Sequence, residues 1–375
     1  WNKQEEGERT TDSLLKALDF DFFKVLDSVT IARSRKHIKR YYNTGEISSF
    51  PKRLPPISPR PRLTDLANAI NYGEIYGQLM QLNLSVYIPT DFIFPSQLAR
   101  YVDTSRNINR AGREMGIRRL MSINLLKRLE SSVESFRLTV GRVKKLIDDT
   151  IVDIDAYASG GGSVIDGREL SDDTDFDDDD RNTEYFAAEH SIKIDLADMD
   201  YKTWRDRLSE DAETLGLLKM LIDDITPEHD TKVRTLLGLI EEKLKNPINP
   251  GNRKILIFSA FSDTVEYLYD HVSTFVKSRF GLDTAMVTGN VDGKTTIKGQ
   301  RASMNEVLTL FSPISKDKNL LMPGNRNDIS VLIATDCISE GQNLQDFPYT
   351  TLFRSPLESR ADYPAFRAHR PNRQP

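Results

Sequence analysis

Four apolar, β-prone residues, Val331–Ala334, run directly into the polar, glycine-containing stretch Thr335–Asp346, and few folds need such a junction. So short an apolar run suits a strand covered on both faces, as in a parallel sheet sandwiched by helices. Chemistry begins where the run stops. Thr335 supplies a hydroxyl, Gly341 permits close backbone approach or positive φ, and Asn343 both donates and accepts. A phosphate-handling loop fits this pattern. An ordinary strand-to-helix turn of an α/β domain stands beside it as the alternative.

Upstream segments repeat the same grammar. In RKILIFSAFSDTVEYLYDHVSTFV, residues 253–276, Ile255–Phe258 read as a strand and Ser262 or Asp263 as an N-cap. Val265, Leu268, Tyr269, Val272, Phe275 and Val276 then form one apolar stripe of a helix. Residues 283–311 give a short strand, a glycine-rich loop and a second amphipathic helix through Met304, Val307, Leu308 and Phe311. Gly293-Lys294-Thr295 looks like the end of a nucleotide-binding P-loop, but that motif needs a glycine at 288, which is Thr. Lys294, Lys298 and Arg301 therefore read as solvated or phosphate-facing cations. Repeated strand–helix units with right-handed crossovers predict a parallel sheet that gathers the loops on one edge.

Together these segments resemble superfamily 2 helicases, in particular the Swi/Snf-like branch. Thr335, Gly341, Asn343 and Leu344 are similar to motif V, 253–276 to motif IV, and Thr288-Gly289 to the phosphate-contacting Thr-Gly pair. The resemblance implies an incomplete α/β RecA-like parallel-sheet domain, preceded by a mostly α-helical region. It also implies ATP near Gly341 and Asn343, and nucleic acid, with DNA the expected kind, on Ser259, Phe261, Thr288, Gly289 and Thr335. The parent protein would be an ATP-hydrolysing helicase or translocase.

Phosphoryl transfer needs a phosphate cradle and a magnesium carboxylate, and neither motif occurs in this sequence. Ile222-Asp223-Asp224 follows an apolar helical stretch and reads as a helix end rather than a magnesium site. ATP and Mg would therefore both require an N-terminal lobe, which the reading expects ahead of Trp1; the fragment alone is not expected to be an enzyme. Nor is motif VI recognisable. An adjacent reading frame over Leu357–Pro375 can spell a motif VI-like segment, and Phe347–Ser355 matches one reading of a sequencing adapter. The native chain is accordingly expected to end near Asp346, leaving 347–375 as a non-native tail.

The expected organisation follows. Residues 1–63 are the end of a first RecA-like lobe and a connector; the stretch 50–65, which runs across its end, carries five prolines and cannot form a regular helix. Residues 64–158 form a helical insertion, 159–190 an acidic flexible linker, 191–250 a helical lead-in and 251–346 the second RecA-like lobe. The clearest helix lies at 116–150, with Leu125, Leu129, Val133, Phe136, Val140, Val143 and Ile147 on one stripe. Packing on the lobe is favoured there over a self-associating coiled coil. Off-stripe Arg118, Arg119, Lys127, Arg128, Arg137 and Lys144 are candidates to track DNA. The run through Asp173, Asp175 and Asp177 lacks the glycine and glutamate of a calcium loop.

Charge is uneven. The net −5 hides 25 Lys and Arg against 17 Asp and Glu over residues 1–150, and 3 against 16 over 151–200. Arg33, Arg35, Lys36, Lys39 and Arg40 beside Tyr41 and Tyr42 suit a nucleic-acid backbone, and equally a solvated helix face. The lone Cys337 and five scattered histidines support neither a thiol nucleophile nor a metal site. No apolar run is long enough to span a bilayer, and a cytoplasmic protein is expected, its oligomeric state open. The competing reading is a non-enzymatic nucleic-acid-binding or scaffold protein with a degenerate RecA-like domain. A dinucleotide enzyme is a weaker third, since no GxGxxG follows a strand.

Overall fold

The computed structural model describes residues 57–67, 69–101, 110–161, 164–166, 193–247, 250–289, 293–300, 302–338, 344 and 350–352. The chain divides into two compact units, Trp1–Arg60 and Pro61–Pro375, and the described structure belongs almost wholly to the second. The basic cluster at 33–42, the aspartate run, Arg301, Gly341 and Asn343 lie outside the described residues.

The second unit opens with helical structure. Helix α1 is Tyr72–Leu79, followed by 3-10 turns at Ser85–Tyr87, Pro89–Phe92 and Leu98–Tyr101. Then come α2, Arg110–Ser131, and α3, Val133–Ala158. The single helix expected over 116–150 is thus two. Ser132 breaks it with an extended backbone, φ −158° and ψ 153°, and its hydroxyl accepts from the Ser135 amide at 3.0 Å. The apolar stripe runs through the break because Leu125, Leu129, Val133, Phe136 and Val140 all remain buried.

Short strands β1, Val164–Asp166, and β2, Lys193–Asp195, pair antiparallel. Helix α4, Tyr201–Asp223, returns to pack on α3 and shares its core, which includes Phe136, Ile147, Trp204, Leu215 and Ile222. Polar groups at the centre of this core have specific partners. The Asp211 carboxylate accepts from the Asn83 and Ser85 amides at 2.7 and 3.0 Å, and Trp204 Nε1 donates to the Ser85 carbonyl at 3.0 Å. Asp223 ends α4 as expected, and Arg137 donates to the Ile222 and Ile225 carbonyls there, satisfying acceptors that a helix end leaves open.

Helix α5, Thr231–Lys245, belongs to a different core, so the stretch read as one helical lead-in divides between two. Beyond it stand β3, Ile255–Phe258; α6, Ser262–Phe280; β4, Thr284–Val287; β5, Lys294–Thr295; α7, Met304–Phe311; a short α8, Lys318–Leu321; β6, Val331–Ala334; and β7, Thr350–Leu352. The sheet order is β5-β4-β6-β3-β7. Strands β4, β6, β3 and β7 are parallel neighbours and β5 is antiparallel to β4. Edge strand β7 lies beyond Asp346, in the stretch the sequence assigns to a tail.

Period-two alternation divides the strands between the sheet's faces. Ile255, Ile257, Met286, Val331 and Ile333 join α5 and α6 on one face. Leu256, Ala285, Val287, Leu332 and Ala334 join α7 on the other. The chain passes from β3 across β6 to β4, then turns back to β6, and right-handed crossovers taken in opposite directions place α6 and α7 on opposite faces. The result is an α/β domain with a mostly parallel sheet between helical layers.

Candidate functional site

In such sheets the ligand crevice lies beyond the carboxyl ends of the strands where the winding reverses, which here is the end of β6. Register places Phe258 opposite Ala334 and Val287 opposite Ala334, so Ser259, Thr335 and Thr288 follow side by side. Ladder bonds continue past the strands: the Ser259 amide donates to the Ala334 carbonyl at 3.0 Å and the Thr335 amide to the Val287 carbonyl at 3.2 Å. Gly289 is exposed beside the buried Thr288. Thr335 is fully buried, and its hydroxyl has no hydrogen-bond partner among the described residues. A buried polar atom in that state is costly unless a ligand or water meets it.

Ser259 and Phe261 are arranged otherwise. Both are buried, at 0% and 3% exposure, under the corner between α2 and α3. The Ser131 hydroxyl lies 3.4 Å from that of Ser259 and 2.9 Å from that of Thr264, and Ser132 lies 3.0 Å from Thr264. Arg128 stacks on the Phe261 ring at 4.5 Å and pairs with Asp263 at 2.7 Å; Arg142 reaches the same carboxylate at 3.3 Å. Neither Ser262 nor Asp263 caps α6: the helix starts at Ser262 with Phe261 as N-cap and no side-chain bond, and Asp263, inside the first turn, pairs with the two arginines.

A polar knot extends this corner. Lys232 Nζ donates to the Glu130 and Ser131 carbonyls at 2.6 and 2.7 Å, closing the end of α2. Its side chain is half-buried as a whole, yet the ammonium is enclosed, and desolvation pushes it down to about 8 although Asp230 and Glu130 oppose the shift. Asp230 caps α5 through the Lys232 and Val233 amides at 2.9 and 3.1 Å and accepts from the Tyr267 hydroxyl at 3.1 Å. Burial raises its carboxyl above the usual range and raises the Tyr267 phenol too.

Lys294 sits on β5, exposed and 3.0 Å from Glu266, at a strand edge rather than at the start of a helix. Gly293 has a packing reason: a Cβ there would lie 2.2 Å from the Ala302 carbonyl oxygen. Neither residue forms a P-loop. Among residues proposed to track DNA, Arg128 is buried, Arg137 closes α4 and Lys144 pairs with Asp148 at 2.6 Å. Cys337 is half-buried against the core on the α7 face of the sheet. Among the described residues no cluster of acids, histidines or cysteine suits a metal, and no helix is long and apolar enough to cross a membrane.

Sequence reading missed Ser131, Ser132, Thr264, Arg142 and Lys232. One local signal existed, since Ser131 and Glu134 stand at the spacing of a capping box within the apparent helix. The fold and site define an α/β domain joined to a helical unit, with a hydroxyl-rich carboxyl edge. Comparison with protein-family models gives no match, and comparison with curated proteins gives none.

Proposed function

We propose that this chain contributes the incomplete second RecA-like lobe of an ATP-dependent nucleic-acid helicase or translocase of the Swi/Snf-like kind. The observation carrying the reading is the row Thr288, Thr335, Ser259 at the winding reversal, with a buried hydroxyl on Thr335 at its centre that has no partner among the described residues. Hydroxyls and main-chain amides recognise phosphates without reading bases. Thr288, Gly289 and Thr335 would meet the nucleic-acid backbone, while Gly341 and Asn343 would face ATP. A first lobe would bring the phosphate cradle and the magnesium carboxylate, and closure of the lobes on ATP would drive the movement.

The test is binding of labelled duplex and single-stranded DNA, and of RNA, to the 375-residue chain, followed by fluorescence anisotropy at low and high salt. Binding should weaken steeply as salt rises. Thr335→Val keeps shape and removes the hydroxyl; it should reduce affinity several-fold while leaving stability intact. No binding of any of these at low salt would overturn the reading in favour of a scaffold protein.

A further inference from the structure

We propose that the α2–α3 corner is an occluding latch on the carboxyl edge of the sheet, holding Ser259 and Phe261 away from a nucleic-acid phosphate until it lifts. The inference rests on the nucleic-acid reading above and adds its regulation. Its first support is chemical. Ser131, Ser132, Ser259 and Thr264 are all buried, and they satisfy one another at 2.9 to 3.4 Å. Hydroxyls that serve each other can turn instead to phosphate oxygens, which accept several donors at once.

The second support is the nature of the seam. The helical core and the cores on the two faces of the sheet form separate apolar clusters. What joins them at this corner is polar: the serine–threonine contacts, the Arg128–Asp263–Arg142 triad and the Lys232 bonds to α2. Such a seam can part without splitting any of the three apolar clusters, and its partly exposed member, Arg142, is the one open to competing ions. Ser132, extended between two helices, is the point about which the corner can bend.

The third support is a route for the trigger. Arg128 and Arg142 share one carboxylate, and the side chain of Arg142 is 33% exposed. A phosphodiester has the same charge as Asp263 and can replace it on Arg142 from solvent, loosening the triad. Lifting the corner then uncovers Ser259 and Phe261 beside Thr335. Nucleic acid would thus open the site that it occupies.

A reversible crosslink tests this on the full chain. Ser131 and Thr264 place their hydroxyls 2.9 Å apart, so Ser131→Cys with Thr264→Cys can form a disulfide; Cys337→Ala prevents wrong pairing. The reduced chain should bind duplex DNA, the oxidised chain at least tenfold more weakly, and reductant should restore binding. Equal binding by both forms, with the crosslink verified by mass, overturns the latch alone. Failure of the cysteines to join also overturns it. Absence of binding in both forms removes the nucleic-acid reading and the latch together.

Discussion

The helical unit and the α/β lobe bury polar groups in different ways. In the helical unit the groups at the centre of the core have fixed partners: Asp211 takes two amides, Trp204 gives its ring N–H to Ser85, and Arg137 closes a helix end. At the carboxyl edge of the lobe, Thr335 keeps a buried hydroxyl without a partner among the described residues, and Ser259 is met only by another hydroxyl and a backbone carbonyl. The first pattern is what a structural core needs, since each unmet group costs about 1–3 kcal/mol. The second leaves capacity for a ligand. Thr284 and Ser312 keep buried hydroxyls in the same state elsewhere in the lobe, so what singles out Thr335 is its place at the winding reversal.

The comparison breaks most easily at Trp204. Its ring is 1% exposed in the helical core, and Trp204→Ala should cost about 3–5 kcal/mol. Hydrogen exchange should show lost protection in α3 and α4, with β3, β6 and α6 largely retained. Uniform loss across both regions would mean that the two cores fold as one cooperative unit.

Gly293→Ala makes the converse cut. The new Cβ must displace the Ala302 carbonyl, an overpacking cost of about 1–3 kcal/mol. Protection should fall at β4 and β5 and stay unchanged in α3 and α4. An unaltered variant would show that the contact between Gly293 and Ala302 relaxes freely.

Lys232 lies between the two regions and should report on both. Its folded pKa is about 8 against an ordinary 10.5, so between those values the folded chain binds fewer protons than the unfolded one. Stability should rise as pH climbs through that window, by about 2 kcal/mol once partial exposure is discounted. Tyr72 and Tyr267 are pushed the other way by burial and oppose the rise above their ordinary 10.0. Denaturant melts of the native chain and Lys232→Met at pH about 7.5 and 10 isolate the effect. A difference between the two that does not change with pH would show Lys232 to be solvated.

Legibility follows the same division. β3, β6 and the helices 231–245 and 262–280 were readable because each carries a local period: a short apolar run or a stripe at helical spacing. The site row was readable as well, since strand ends announce loops. What could not be read depends on contacts far apart in sequence. The stripe through Val133 hides the break at Ser132, and nothing near residue 259 reveals that residue 131 lies on it, 128 positions away. The return of α4 to α3 is hidden likewise, because an amphipathic helix does not name its partner.

Lys294 offers the smallest effect and the finest discrimination. It pairs with Glu266 at 3.0 Å, with side chains 44% and 35% exposed, and surface pairs of this kind contribute about 0–1 kcal/mol. Lys294→Ala should therefore shift stability by less than about 0.5 kcal/mol and leave nucleic-acid affinity within about twofold, allowing for one lost surface cation. A P-loop lysine behaves differently, because it holds the β- and γ-phosphates directly and its loss disables nucleotide binding. The contrast with Gly293 is then decisive for the pair: on an edge strand the glycine matters to folding and the lysine hardly at all, whereas in a phosphate cradle both serve the ligand. A more than tenfold loss of nucleic-acid affinity in a well-folded Lys294→Ala chain would place the phosphate site at β5 and move it away from the end of β6.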